Sequence, residues 1–322
     1  MLRVVVLVNR YVPEYNAGSE VTMHRLARAL AGAGHEVEVV VTWHLSRHGY
    51  HLDGIPVHQV SERDADDRIV QLSPDVILTQ YDEIARAAWL RAQYGIPWVQ
   101  LIHKDDENSR AALRLSAALS VFNTHWIAET FADHPGRSLV VHPPVNADEH
   151  RTRPGNATTL VNLIPDKGVE VFYALADRFP GRAFLGVVGG YGRQDIRTDR
   201  PNLRIHPHGP AMREVWGQTR VVLMPSLHES YGLVAVEAMV SGIPVIAHPT
   251  PGLREALGPG GLFADRNDLD AWAAALAALD AADRYEAASR YALARAREIT
   301  AENTAELAAF VSAVESVIED RQ

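Results

Sequence analysis

Short β-branched runs alternate along this chain with longer Ala, Leu and Arg segments of helical period, and a glycine closes a helix just ahead of the next apolar run. Residues 2–9 read as a strand, 20–33 as a helix closed by Gly34, and 37–42 as the next strand. The same order returns at 96–102 (IPWVQLI) and 243–247 (IPVIA). An apolar run with no polar alternate is buried on both faces, as in a central strand of a parallel sheet. Parallel neighbours need a crossover, and a helix with a glycine C-cap supplies one. The expected class is α/β, parallel sheets covered by helices. Hydrophobic residues make up 47% of the 322, enough for full cores and too many for disorder. That length suits two domains of roughly 150 residues each.

The expected boundary lies in residues 147–158, ADEHRTRPGNAT, which are polar, non-periodic and contain Pro and Gly. This gives halves of 1–150 and 151–302, the second with strands near 183–188, 203–205, 221–224 and 243–247. Residues 303–318 read as an amphipathic helix able to cap either half, and 303–322 are expected as a C-terminal helix that can pack back on the first half. With 31 Lys and Arg against 40 Asp and Glu, a net charge of −9, nucleic acid is not an expected partner. No cysteine is present, which excludes disulfides and thiol chemistry and fits a reducing cytoplasm. The start, MLRVVVLVNRY, is too short an apolar stretch for a signal peptide, and no run approaches the roughly 20 residues of a membrane span. Residues 25–28 and 110–114 hold too few arginines for an anionic-lipid patch, so no membrane association is expected.

In open parallel sheets, ligands sit beyond the carboxyl ends of strands, at helix N-termini. Three such turns stand out, at 9–20, 186–192 and 225–232. The last begins VVLMPSLHESYGLVAVEAMVSGIPVIA, in which the helix at 233–240 is apolar on every face except at Glu237. A lone carboxylate on a buried helix needs hydrogen-bond partners. These are either an internal ion pair or cap, or the hydroxyls of a ligand. Glu229 precedes it by eight residues in the loop, and the amides at 231–233 lie between. Two carboxylates and free amides suit a polyhydroxylated ligand carrying phosphate. Lys104 and Lys167 are the only lysines, and both fall just after strands. An ammonium is a compact point charge for phosphate. Gly18, in NAGSE, lets a backbone approach phosphate closely, and His103, at a strand end, is a candidate acid–base or hydrogen-bonding group beside the plainer reading of a structural histidine.

Other chemistries fit less well. GGYG at 189–192 lacks the full dinucleotide spacing, and no G-x-S-x-G precedes a helix. His44, His48 and His51 have helix-like spacing, but their Gly- and Ser-containing segment offers no carboxylate and reads as a solvated or acceptor-facing loop, so no metal site is expected.

Glu229 and Glu237 as E-x7-E, Lys167–Gly168 in VNLIPDKG, Gly18 in NAGSE and the strand-end His103 together resemble the retaining glycosyltransferases of the GT-B fold, family 4. GHEVEVVVT, PDVIL and PGLREALGPGGLFA extend the likeness over nearly the whole chain. The resemblance implies two Rossmann-like domains facing across a cleft and a nucleotide-diphosphate sugar as donor, with no metal and no cofactor. It implies that Glu237 binds ribose hydroxyls, Glu229 the sugar, Lys167 and the Gly18 amide the diphosphate, and that His103 bonds the sugar near the reacting carbon. His103, Lys167 and Glu229 are thus the expected catalytic groups. Gly189, Tyr231, Gly232 and Leu233 would meet sugar or phosphate, and the 208–212 stretch, through Ala211 and Met212, the base. Where the family commonly carries a second cationic clamp, five residues before the lysine, this chain has Asn162, leaving Arg193 to supply the charge. The acceptor is expected to be a small molecule or glycan in solution. A nucleotide-sugar epimerase and a catalytically silent binding subunit are the alternatives.

Overall fold

A computed structural model describes residues 1–44, 48–209 and 211–319. Close contacts divide the chain into two units, Met1–Pro144 with Asn303–Gln322, and Val145–Glu302. Among the described residues the first holds eight strands: β1 (Arg3–Val8), β2 (Glu36–Val41), β3 (Tyr50–Leu52), β4 (Ile55–Gln59), β5 (Val76–Gln80), β6 (Trp98–Ile102), β7 (Leu119–Phe122) and β8 (Ser138–Val140). Their order is β3-β4-β2-β1-β5-β6-β7-β8, parallel except for the β3–β4 hairpin. The second holds β9 (Ala157–Val161), β10 (Phe184–Val187), β11 (Leu203–His206), β12 (Thr219–Met224), β13 (Val245–Ala247) and β14 (Leu262–Phe263). These run parallel in the order β11-β10-β9-β12-β13-β14.

Each sheet is buried on both faces, and the two-residue period of a strand sorts its side chains between them. In the first unit Val4, Val6 and Val8 pack with Met23, Leu26 and Leu30 of the helix Gly18–Gly32, while Val5 and Leu7 face Ile69, Ala87 and Leu90. In the second, Val222 and Met224 pack with Ala235, Val236 and Met239, and Val221 and Leu223 with Phe172 and Leu175. Both layers of helix exist because connections from each central strand run to opposite sides of the sheet.

Three sequence expectations change. Gly18 does not lie in a loop; it opens the helix, after Ala17 at the N-cap. The polar stretch at 147–158 is partly ordered, as a short helix Ala147–His150 and the start of β9, and the division between units falls at Pro144 and Val145. The tail is no separate helix: Ala282–Glu319 is one helix of 38 residues. Its last part puts Phe310, Val314 and Val317 into the first unit's core, and Glu306 accepts from His142 N at 2.9 Å and pairs with His142 Nδ1 at 2.7 Å. No helix among the described residues is long and apolar enough to cross a membrane.

Phe310 is fully buried. Replacing it by Ala removes a whole ring from a packed layer and should cost about 3–5 kcal/mol, read as a lower denaturant midpoint for the first unit.

Candidate active site

In the second sheet the strand order reverses between β9 and β12, so the two following connections part and leave a crevice at their carboxyl ends. After β9 the chain turns through Asn162, at φ +70°, into a 3-10 turn Pro165–Lys167 closed by Gly168 at φ +79°. A side chain at Gly168 would strike Pro225 just beyond β12, so the lysine turn lies directly on the neighbouring strand end. Leu227 N donates to Asp166 O at 2.7 Å and joins the two loops. Lys167 Nζ thereby donates to Glu229 Oε2 at 2.5 Å, with the two side chains 16% and 15% exposed. Burial would push the ammonium pKa down, but the Glu229 carboxylate and the Tyr191 hydroxyl outweigh it and hold Lys167 above its ordinary value. Lysine and glutamate, read apart in the sequence, form one ion pair.

Beyond Glu229, Gly232 at φ +100° is the N-cap of the helix Leu233–Met239 and makes no side-chain cap, while Ala235 N donates to Gly232 O at 2.8 Å. A β-carbon on Gly252 would strike the main chain of Glu229 and Ser230, so only glycine allows that approach. Tyr231 is buried in the same core as the helix. Glu237 is 7% exposed and faces His150 Nε2 at 3.7 Å, which supplies the internal partner left open by the sequence. His150 comes from the polar stretch read as linker.

Gln194 and Arg266 organise this edge, and the sequence did not mark either. Gln194 Oε1 accepts from Leu163 N and Gly189 N, both at 2.9 Å, and its Nε2 donates to Asn162 Oδ1 at 2.7 Å and Tyr191 O at 2.8 Å. It ties the 189–192 loop to the end of β9. Asn162 packs so closely on Gly189 that a β-carbon there would overlap its carboxamide, and Asn162 Nδ2 is buried without a partner. Arg266, 12% exposed, donates to Pro165 O at 2.5 Å, Asp166 O at 3.2 Å and Pro225 O, and pairs with Glu170 at 2.5 Å. One guanidinium thus clamps both loops that carry Lys167 and Glu229. Arg193 is exposed. Ala211 caps the helix Met212–Trp216, whereas Pro210, inside the expected base-binding stretch, lies outside the described residues.

In the first unit the order reverses between β1 and β5. His103, just past β6, is 5% exposed and its Nε2–H donates to Gln80 Oε1 at 2.7 Å. Burial, helped by the Lys104 ammonium, pushes its pKa down to about 4, so the ring is neutral near pH 7 and Nδ1 is left as an acceptor. Tyr81, at φ +51°, lies against His103 with ring centroids 5.2 Å apart. Near pH 7 His103 is thus a neutral ring, hydrogen-bonded through Nε2 to Gln80. His44 and His48 lie outside any helix and His51 is in β3, while Leu45, Ser46 and Arg47 lie outside the described residues.

Gln194→Ala strands four groups, Leu163 N, Gly189 N, Asn162 Oδ1 and Tyr191 O, and should cost about 1–3 kcal/mol for each one left buried and unpaired. Arg266→Lys should fail to replace Arg266, because one ammonium cannot reach three carbonyls and a carboxylate as the planar fork does. Both effects should appear in denaturant unfolding, with Arg266→Lys also loosening the 165–168 turn in amide exchange.

Residues 158–281 match the family described as glycosyl transferases group 1. A D-inositol 3-phosphate glycosyltransferase of Corynebacterium urealyticum is 45% identical over 299 residues, covering 73% of this chain and 70% of that protein. One of Streptomyces griseus is 29% identical over 276 residues, covering 63% and 58%. The chain therefore spans less than two thirds of the length of some of these relatives. Among solved structures, Anabaena Alr3699/HepE in complex with UDP-glucose superposes with a TM-score of 0.78 at 16% identity, over 99% of this chain and 100% of that one. The catalytic domain of starch synthase IV from Arabidopsis thaliana, bound to ADP and acarbose, gives 0.72 at 13% identity, with 99% of each chain covered. The two Rossmann-like sheets are those of the GT-B fold, and the chain belongs to the group 1 glycosyl transferases, of family 4 type.

Proposed function

We propose that this chain moves a sugar, with retention at the anomeric carbon and without a metal, from a nucleotide-diphosphate sugar to a hydroxyl of a small soluble acceptor in the cytoplasm. The Lys167–Glu229 pair at the reversal of the second sheet carries the reading. As the glycosidic bond breaks, negative charge grows on the departing diphosphate. Lys167 and the N–H groups at Gly232 and Leu233 are the donors for it, and preorganised donors of this kind are worth several kcal/mol, about 3–4 for a single one. A phosphate oxygen competes with Glu229 for the ammonium, which frees the carboxylate to accept sugar hydroxyls. Glu237 takes the ribose hydroxyls, with His150 behind it. In the first unit, His103 Nδ1 accepts a sugar hydroxyl, and the Gly18 amide is a phosphate donor at a helix start.

Front-face attack, in which the leaving phosphate oxygen takes the acceptor's proton, needs no protein base, and a neutral His103 suits it. Charge stabilisation by an ammonium and main-chain dipoles leaves a divalent ion no necessary part. Relatives named for D-inositol 3-phosphate support a small acceptor, and the UDP-glucose complex of the Anabaena protein supports a nucleotide-sugar donor. A cysteine-free chain suits a reducing compartment.

A thermal-shift screen of nucleotide sugars followed by assay of slow donor hydrolysis tests the reading. Free sugar and nucleoside diphosphate are expected; an altered sugar nucleotide, or neither product, overturns it. Glu237→Ala should weaken donor binding by about 1–3 kcal/mol, measured by calorimetry. Lys167→Ala should lower turnover far more than it lowers the unfolding midpoint. Chelator should leave turnover unchanged, and a loss restored by divalent metal would remove the metal-free mechanism.

A further inference from the structure

The ladder between β1 and β2 continues beyond both strands, with Thr42 N donating to Val8 O at 3.0 Å and Trp43 N to Asn9 O at 2.9 Å. This sets Arg10 beside Trp43 at the carboxyl edge of the first sheet, next to its strand-order reversal. Arg10 Cζ lies 4.0 Å from the Trp43 ring centroid and 5.1 Å from that of Tyr15, and the two rings stack at 5.1 Å. Neighbouring residues fix the main chain on either side. Asn9 Nδ2 donates to Asp82 Oδ2 at 3.0 Å, and Tyr11, 1% exposed, bonds His24 Nδ1 at 2.8 Å, which in turn bonds Asp53 at 3.1 Å.

Arg10 differs from the ion-paired arginines of its unit. Arg28, Arg86 and Arg110 of the same unit each face a carboxylate. Among the described residues no carboxylate pairs with Arg10, its Nε is buried without a hydrogen-bond partner, and it is held by aromatic faces. Asp82 is taken by Asn9, and Glu14, in the same loop, accepts from Gln59 at 3.0 Å. A π-face attracts the cation but accepts none of its in-plane N–H bonds, so the outer edge of the fork keeps its donors. Trp43 is 46% exposed, leaving indole surface beside that edge. On the same sheet edge Lys104 sits 5.8 Å from the Tyr81 ring, a second cation held by an aromatic face.

We propose that Arg10, with Trp43 and Tyr15, forms an acceptor subsite for an anionic group, phosphate or carboxylate, carried on a sugar-sized ring. The guanidinium fork binds the anion bidentately and the indole takes the C–H face of the ring. This rests on the transferase reading for the word acceptor, while the binding itself does not.

The test uses the full chain with labelled tryptophan, the Trp43 indole N–H signal being identified by its loss in Trp43→Phe. Glucose 6-phosphate, glucuronate, glucose and inorganic phosphate are titrated at constant ionic strength. Glucose 6-phosphate or glucuronate should move the Trp43 signal to saturation, the two separating phosphate from carboxylate, and glucose should not. Arg10→Gln should weaken that response about tenfold or more, and Arg10→Lys should weaken it less, keeping charge without the fork. Arg290→Gln, an exposed arginine of the other unit, should leave it unchanged. The proposal is overturned if neither ring-bearing anion moves Trp43, if glucose binds as well, if inorganic phosphate alone binds as tightly as glucose 6-phosphate, or if both Arg10 variants respond like the parent chain. Donor hydrolysis by the parent chain is measured alongside: its absence with an intact Trp43 response removes the transferase reading alone, and its presence with a silent Trp43 removes the subsite alone.

Discussion

Reversal of strand order is the constraint from which the second unit's chemistry follows. From β9 the chain moves outward to β10, and from β12 it moves the other way to β13, so the helices Val169–Arg178 and Leu233–Met239 lie on opposite faces. Neither can roof the gap between the two strand ends. Loops must fill it, and their carbonyls need donors. Arg266 provides these for Pro165, Asp166 and Pro225, and Gln194 does the equivalent work around Leu163 and Gly189. Lys167 and Glu229 meet at 2.5 Å because that network leaves their loops no other course.

An ion pair this sheltered is a poor device for stability. Removing two charges from water costs several kcal/mol per ion, and their attraction often only offsets that cost. A pair of apolar residues would hold the loops as well. Its charges make sense when a third group enters. Under the proposed transfer, a donor phosphate would meet an ammonium already stripped of most water, and a sugar hydroxyl a carboxylate in the same state.

The sequence made the sheets legible because burial on both faces writes itself as unbroken apolar runs, as in VVVLV of β1 and VVLM of β12. It made Glu237 legible for the same reason, since a carboxylate is conspicuous on an otherwise apolar helix. Its partner His150 was not, because that contact joins a polar stretch to a helix far along the chain. Gln194 and Arg266 look like any polar loop residues until one knows which carbonyls the fold brings together. Gly18 was misplaced because glycine is common both in loops and at helix starts, and local pattern does not separate the two. The break at Asn303 had a similar cause: the first half of the long helix Ala282–Glu319 is alanine-rich and evenly charged, so its continuity left no periodic mark.

Asn162 shows how backbone and charge compete at such a site. Its φ of +70° lies in the left-handed region, where asparagine is tolerated and longer side chains are strained. Its carboxamide oxygen is bound by Gln194, so the residue shapes the loop instead of adding charge. Arg193 is exposed, and the guanidinium of Arg266 is spent on carbonyls and Glu170. Under the proposed transfer, the sheltered cation for a departing diphosphate would be Lys167, with Arg193 at the surface. The two units thus hold cations in opposite ways. Lys167 is matched by a carboxylate, with which a ligand would have to compete, whereas Arg10 is matched by rings that never compete for its hydrogen bonds. A cation of the first kind discriminates by exchange, suited to a charge that must be released after transfer. One of the second kind binds without exchange, which suits the proposed role of holding an acceptor in a fixed pose.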